Sequence, residues 1–284
     1  MTRIQSPFAL TLLSRDPQWI TAADQAGVER IGLDTERLGK TARQGHIAGA
    51  RISDHTLDDL AIVRPLVQHA SVFVRLNPLH AGTQHEVERA LHGGADSLML
   101  PGFRTAGEVA QFVDLVRGRA EVMLLVETAT AVARLHEILQ VPGIDEIMVG
   151  LNDLHLEMRL SAPLEVASSE LLEWIGRSVQ RAGLRFGFGG VARPESDDLP
   201  VPSDLVLARY AQLNARAAWI SRSFFQGGLT PEQFPAALER LRERLAYWFA
   251  QPAEELAKME EELRLAIRRL HHAPTNRAQL RIAA

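Results

Sequence analysis

Four acidic residues and one arginine stand where their types and spacing could do chemistry: Asp34, Glu36, Glu127, Asp153 and Arg75. Each closes or follows a short apolar run, in "RIGLDTE", "VFVR", "MLLVE" and "IMVGLND". A glutamate on a solvated face needs no such lead-in. Met123 to Val126 therefore reads as a buried strand that carries Glu127 at its C-terminal tip. Glu127 and Asp153, on successive strands, could approach one divalent cation as oxygen ligands, with the other octahedral positions left to water or substrate, as Mg²⁺ is usually held. Carboxylates without His or Cys suit Mg²⁺ or Mn²⁺ better than Zn²⁺. Asp34 and Glu36 would orient the cation's waters or hold its ligands, and Arg75 would bring a permanently charged fork to a substrate carboxylate or a developing enolate. The competing reading of the same residues is structural: Glu127 and Asp153 pair with Arg75 and Arg15 and merely close a rim.

The elements that must position these residues recur along the chain. Eight apolar runs can be counted, "FALTLL", "VERIGLD", "SVFVRLN", "SLMLP", "VMLLVET", "EIMVGLND", "LRFGFGG" and "AWISRSFF", most of them separated by stretches of helical spacing. They are too short for buried helices and often end in Gly, Pro, Asn or Asp. Repeated strand–helix units predict parallel strands with right-handed crossovers. The fold class expected is α/β, a single (β/α)8 TIM barrel over residues 1–229. An open doubly wound sheet is the alternative, weakened because no glycine-rich dinucleotide or phosphate-binding fingerprint follows any strand.

In such a barrel chemistry sits at the C-terminal strand ends. Those positions hold Ser14, Arg15 and Asp16; Asp34 and Glu36; Arg75 and Asn77; Pro101; Glu127 and Thr128; Asn152 and Asp153; Gly189 and Gly190; and Arg222 and Ser223. Residues 230–284 change character. "TPEQF" and Pro252 are helix starts, and Leu256, Met259, Leu263 and Ile267 form a narrow apolar stripe. This C-terminal helical extension packs on the barrel or serves as an oligomer arm.

The 284 residues carry a formal net charge of −4, 46% hydrophobic residues and no cysteine. That balance argues against a nucleic-acid or anionic-membrane partner, and no apolar run reaches the length of a membrane span. Disulfides, thiol nucleophiles and cysteine-ligated metals are excluded. A cytoplasmic enzyme is the expectation.

In order and spacing, "VERIGLDTE", "FVRLNP", "GADSLMLPGFRTAGEVAQFV", "LLVETATAV" and "IDEIMVGLNDL" resemble the HpcH/HpaI aldolase and citrate lyase β-subunit family. The resemblance implies a barrel of the pyruvate kinase/PEP mutase-like kind, commonly oligomeric, whose C-terminal helix packs on a neighbouring subunit. It implies a cation, Mg²⁺ or Mn²⁺, on Glu127 and Asp153, and Arg75 as the group that contacts the substrate's carboxylate or enolate. Asn152, Asp153 and Pro101 would border the substrate, and Asp34 and Glu36 would assist catalysis. The activity implied is carbon–carbon bond cleavage or aldol addition on a 2-oxo acid. The alternatives are citrate-lyase-like chemistry on an acyl-CoA, with Lys40, Arg43 and Arg222 along the coenzyme path, and a barrel that binds a 2-oxo acid without turning it over. A homo-oligomer built through the C-terminal helices is expected.

The departures are specific. Where the aldolases of the family carry "GEH", with a histidine for the acid/base step, this chain has Thr35, Glu36 and Arg37, and Leu125 replaces their glutamine. The Asp-Leu-Glu-Asp run of the citrate lyase branch is also broken, by Thr35 and Arg37. Among histidines that could substitute, His46, His55, His80 and His85 read better as surface or capping residues. His155, two residues beyond Asp153, ranks below them.

Overall fold

The computed structural model describes residues 8–39, 53–196 and 199–272. Lys40, Arg43 and His46 lie outside them. Eight parallel strands close a barrel in sequence order: β1 (Ala9–Leu13), β2 (Arg30–Asp34), β3 (Ser71–Arg75), β4 (Ser97–Leu100), β5 (Glu121–Val126), β6 (Glu146–Val149), β7 (Arg185–Val191) and β8 (Ala217–Ile220). β1 pairs with both β2 and β8, so the described sheet has no edge and the doubly wound alternative is excluded.

The helices that follow the strands are α1 (Pro17–Gln25), α2 (Leu60–Leu66), α3 (Thr83–His92), α4 (Ala106–Val116), α5 (Ala129–Ala133), α6 (Leu135–Ile138), α7 (Leu151–Glu157), α8 (Pro163–Ala167), α9 (Glu170–Arg181) and α10 (Ser203–Gln212). Their starts are written locally. Asp16 accepts from the N–H groups of Gln18 and Trp19 with Pro17 at the first position, and Thr105 and Glu108 form a capping box on α4. Asp16 is thus a helix cap rather than a site residue.

Two strand ends differ from the sequence reading. The run "EIMVGLND" is strand only to Val149; Gly150 caps α7, and Asn152 and Asp153 lie in its first turn. The run "AWISRSFF" leaves the sheet at Ile220, and Arg222–Phe225 is a 3-10 turn. In both cases an apolar residue just past the strand packs from a helical turn, which alternation alone does not distinguish from continued strand.

At the C-terminus, α11 (Phe234–Phe249) and α12 (Ala253–His272) follow. Leu256, Leu263 and Ile267 of α12 are buried against the chain's own barrel. Arg209 of α10, itself fully buried, ties this helix down through ion pairs to Glu260 at 3.3 Å and to Glu173 of α9 at 2.9 Å. The apolar stripe of α12 is therefore covered within the chain. Among the described residues, no helix is long and apolar enough to cross a membrane.

The lumen is layered. At its N-terminal end Arg30 of β2 reaches across to Glu146 of β6 with bonds of 3.0 and 2.5 Å, and Arg185 adds a third at 3.0 Å. Above this plug lies an apolar layer of Phe73, Met99, Met123, Leu125 and Met148. Leu13 and Trp219 cap that layer and are partly exposed. With the lower end plugged, their open surface faces the mouth at the C-terminal strand ends.

Candidate active site at the barrel mouth

Strand register sets the site. Asp34 pairs with Arg75 across β2 and β3, and Val126 with Val149 across β5 and β6. Glu127 therefore stands level with Gly150, one residue before the turn of helix that carries Asp153. Glu127 and Asp153 are 3% and 8% exposed.

The guanidinium of Arg75 donates from Nε to Asp34 Oδ1 at 2.8 Å and from Nη2 to Asp34 Oδ2 at 2.7 Å. Glu36, fully buried, lies 3.6 Å from the same Nε. Arg75 also stands over the indole of Trp219, 5.7 Å from the ring centroid. Burial alone would lower its pKa. The charges of Asp34, Glu36 and Glu127 outweigh that and hold it above the ordinary value, so the cation is permanent. Asp34, Glu36, Arg75 and Glu127 thus belong to one electrostatic cluster at the mouth. Arg15 bonds Asp54 at 2.5 Å and lies 3.6 Å from Asp59, and Arg75 is held by Asp34.

Glu127 lies in a space kept by glycines. A β-carbon on Gly150 would fall 3.0 Å from both Glu127 Cβ and Oε2. On the other side, Gly102 adopts a left-handed backbone, and a β-carbon there would meet Pro78 at 3.0 Å and stand 3.9 Å from Glu127 Oε1. Pro101, buried, precedes Gly102 on the same rim, and Asn152 stands exposed beside Asp153. Among the described residues no group of three or more His, Asp or Glu side chains forms a metal cage. A pair of carboxylates with room on both sides of Glu127 does fit a hard cation that keeps most of its shell for water and substrate.

Other sequence candidates take structural roles. Asn77 accepts from the backbone N–H groups of Arg37 and Leu38 at 2.8 and 2.9 Å and so fixes the segment after β2. His80 lies 3.2 Å from Glu86, His85 is exposed on α3, and Asp59 and Thr56 form a capping box ahead of α2. His155 is buried, with Nδ1 3.2 Å from the Leu151 carbonyl. Residues two apart on a helix are about 200° apart, so His155 lies away from Asp153, whereas a continued strand would have put both on one face.

His55 is the residue that sequence reasoning undervalued. Its Nδ1 accepts the backbone N–H of Asp34 at 3.2 Å, so a side chain from the far end of the loop closes the tip of β2. Burial lowers its pKa, with Arg15 adding to the effect and Asp34 opposing it. With Nδ1 accepting, the neutral ring carries its proton on Nε2. Arg37 reaches the same point, its Nη2 donating to the carbonyls of Asp54 at 2.8 Å and His55 at 3.2 Å.

Residues 11–187 match the family model HpcH/HpaI aldolase/citrate lyase. The chain belongs to this family of lyases and aldolases. Among solved structures it is similar to an HpcH/HpaI aldolase from Desulfitobacterium hafniense, with 17% identity, a TM-score of 0.60, and 87% of this chain and 94% of that one covered. It is similar also to an HpcH/HpaI aldolase/citrate lyase family protein from Burkholderia cenocepacia, at 18% identity, a TM-score of 0.59, and coverage of 84% and 95%. A third likeness is the citrate synthase SbnG, at 16% identity, a TM-score of 0.58, and coverage of 84% and 94%. At these identities the likeness shows the fold. No curated protein matches the chain. Within this HpcH/HpaI chain, Arg37 occupies the position at which the aldolase pattern quoted above has histidine, and its guanidinium points into loop carbonyls rather than acting as a base.

Proposed function

We propose that the chain is a divalent-cation-dependent carbon–carbon lyase or aldolase acting on a 2-oxo acid of pyruvate or oxaloacetate type, with Glu127 and Asp153 holding Mg²⁺ or Mn²⁺. The observation that carries this reading is the oriented Arg75 in one charged cluster with Glu127, at the end of the barrel opposite the Arg30–Glu146 plug. Bound there, the cation would supply a Lewis acid for the substrate's 2-oxo and carboxylate oxygens. Arg75 supplies hydrogen bonds and fixed charge to the oxygen on which negative charge grows as the carbon–carbon bond breaks. Asp34 grips the Nε–Nη2 edge, so the Nη1 end is the part a substrate oxygen would take. Trp219 and Leu13 exclude water from below, which strengthens these interactions. His55, neutral with its proton on Nε2 and bonded to the backbone of Asp34, would move the proton that Arg37 cannot.

The test is proton–deuterium exchange at the methyl group of pyruvate, and separately of acetyl-CoA, followed by NMR with Mg²⁺ or Mn²⁺. Enolisation requires no knowledge of the acceptor. Cation-dependent exchange of pyruvate that disappears in Glu127→Gln is the expected result. Exchange with acetyl-CoA alone would move the protein to the acyl-thioester chemistry suggested by the citrate lyase and citrate synthase names among its relatives. Cation binding with no exchange of either donor would favour a barrel that binds without turnover.

A further inference from the structure

The two carboxylates proposed to hold the cation come from different elements, and something must fix the distance between them. β5 ends at Val126, and its loop carries Glu127 into the first residues of α5; Asp153 lies on α7 after β6. One side chain bridges these elements. Glu157, four residues after Asp153 and so on the same face of α7, accepts the backbone N–H of Ala129 at Oε2 with a bond of 2.7 Å. Ala129 is two residues from Glu127. The other oxygen, Oε1, takes Nη2 of Arg104 at 2.5 Å, and Nη1 of Arg104 lies 3.3 Å from Thr130 Oγ1. Thr128 completes the tie by donating from Oγ1 to the Phe103 carbonyl at 3.0 Å. The loop after β4, the loop after β5 and the helix after β6 are thereby fastened outside the mouth.

We infer that Glu157, with Arg104, is a positioning residue that sets the spacing of Glu127 and Asp153 and hence the cation affinity of the site. The inference rests on the reading of those two carboxylates as the cation's ligands. The cost of a misplaced ligand exceeds that of the lost surface bond. A half-exposed ion pair contributes little to folding, with Arg104 50% and Glu157 26% exposed. Groups that orient metal ligands, by contrast, typically account for 10–100-fold in affinity. Three substitutions separate positioning from charge. Glu157→Ala removes the bond to Ala129, and Glu157→Asp keeps the charge but is one methylene too short to reach it. Glu157→Gln keeps an oxygen that can accept the Ala129 N–H.

The experiment is titration of the full chain with Mn²⁺, reading free Mn²⁺ by electron paramagnetic resonance, beside thermal unfolding of each variant. About a tenfold weaker Mn²⁺ affinity is expected in Glu157→Ala and Glu157→Asp, with Glu157→Gln close to the parent. Parent-like affinity in both Ala and Asp variants overturns the inference, and so does an equal loss in Gln, which would assign the effect to charge. Should the Ala variant not fold, the Asp and Gln pair decides alone. Glu127→Gln is the control for the underlying reading. If it binds Mn²⁺ as the parent does, the ligand assignment fails. If it loses Mn²⁺ while the Glu157 variants do not, only the positioning role fails.

Discussion

Replacing Asp34 by asparagine tests whether the mouth is organised around Arg75. The parent pair is bidentate at 2.8 and 2.7 Å, with side chains 15% and 9% exposed. Removing one partner of a buried ion pair usually costs about 3–5 kcal/mol because the other charge is left uncompensated. Here the amide oxygen of Asn can keep one of the two bonds, and Glu36 at 3.6 Å still faces the guanidinium. The lower figure of about 2 kcal/mol is therefore expected, the worth of one hydrogen bond to a charged group. For a chain of this size that is a fall in Tm of roughly 4 °C. The effect on turnover should be larger in proportion, because the Nε–Nη2 edge is no longer clamped and a displaced catalytic group can cost about 10²-fold. Calorimetry with the pyruvate methyl-exchange rate reads both. A variant whose Tm and exchange rate both match the parent would refute the argument, since the orientation of Arg75 would then be set elsewhere. A lowered Tm with unchanged exchange would keep the ion pair as a structural feature and remove Arg75 from the chemistry.

Gly150→Ala should leave Tm nearly unchanged, since the backbone there is extended and the lost chain entropy favours alanine by about 0.4–1 kcal/mol. The added carbon, 3.0 Å from Glu127 Cβ and Oε2, displaces the carboxylate by tenths of an ångström, so Mn²⁺ affinity and exchange should fall while stability holds. Equal affinity would show that Glu127 has slack. For His55 the sign follows from its lowered folded-state pKa: the unfolded chain takes the proton first as pH falls, so the stabilisation is present above about pH 6.5 and is lost below it. His55→Gln, whose amide oxygen can accept the Asp34 N–H, should flatten the stability profile between about pH 5 and 7; an unchanged profile would place the titration elsewhere.

The barrel was legible because its strands are short apolar runs closed by turn residues, and all eight are found where those runs lie. Asp34, Arg75 and Glu127 were legible for a related reason: a charged residue at the tip of an apolar run has few places to go except a strand end. The partners of these residues were not. That Asp34 clamps Arg75 depends on strand register, which no local pattern encodes. His55 reaches Asp34 from a position 21 residues along the chain, and a cap signature beside it gave a sufficient local explanation. Glu157 carries one faint mark, its spacing of four from Asp153. The plug of Arg30 and Glu146 was overlooked because both stand at the first position of their strands, the end at which a barrel's conservation-free reading places no chemistry.

Two buried ion pairs lie at opposite ends of the lumen, and their surroundings differ. Glu146 is shared by Arg30 and Arg185 beneath the layer of Phe73, Met99, Met123, Leu125 and Met148, with Arg30 3% and Glu146 1% exposed at the side chain. That network is isolated from the mouth and has no ligand to meet, so its role is to satisfy charges at the barrel's base and hold opposite strands. The Asp34–Arg75 pair stands at the other end of the same apolar layer, with Arg75 over the indole of Trp219 and the two side chains 15% and 9% exposed. A charge over a low-dielectric floor acts more strongly on a ligand arriving from above than it would in water. The apolar layer therefore separates the ion pair at the base of the lumen from the one at its mouth. Leu125, apolar where the aldolase pattern has glutamine, belongs to that floor.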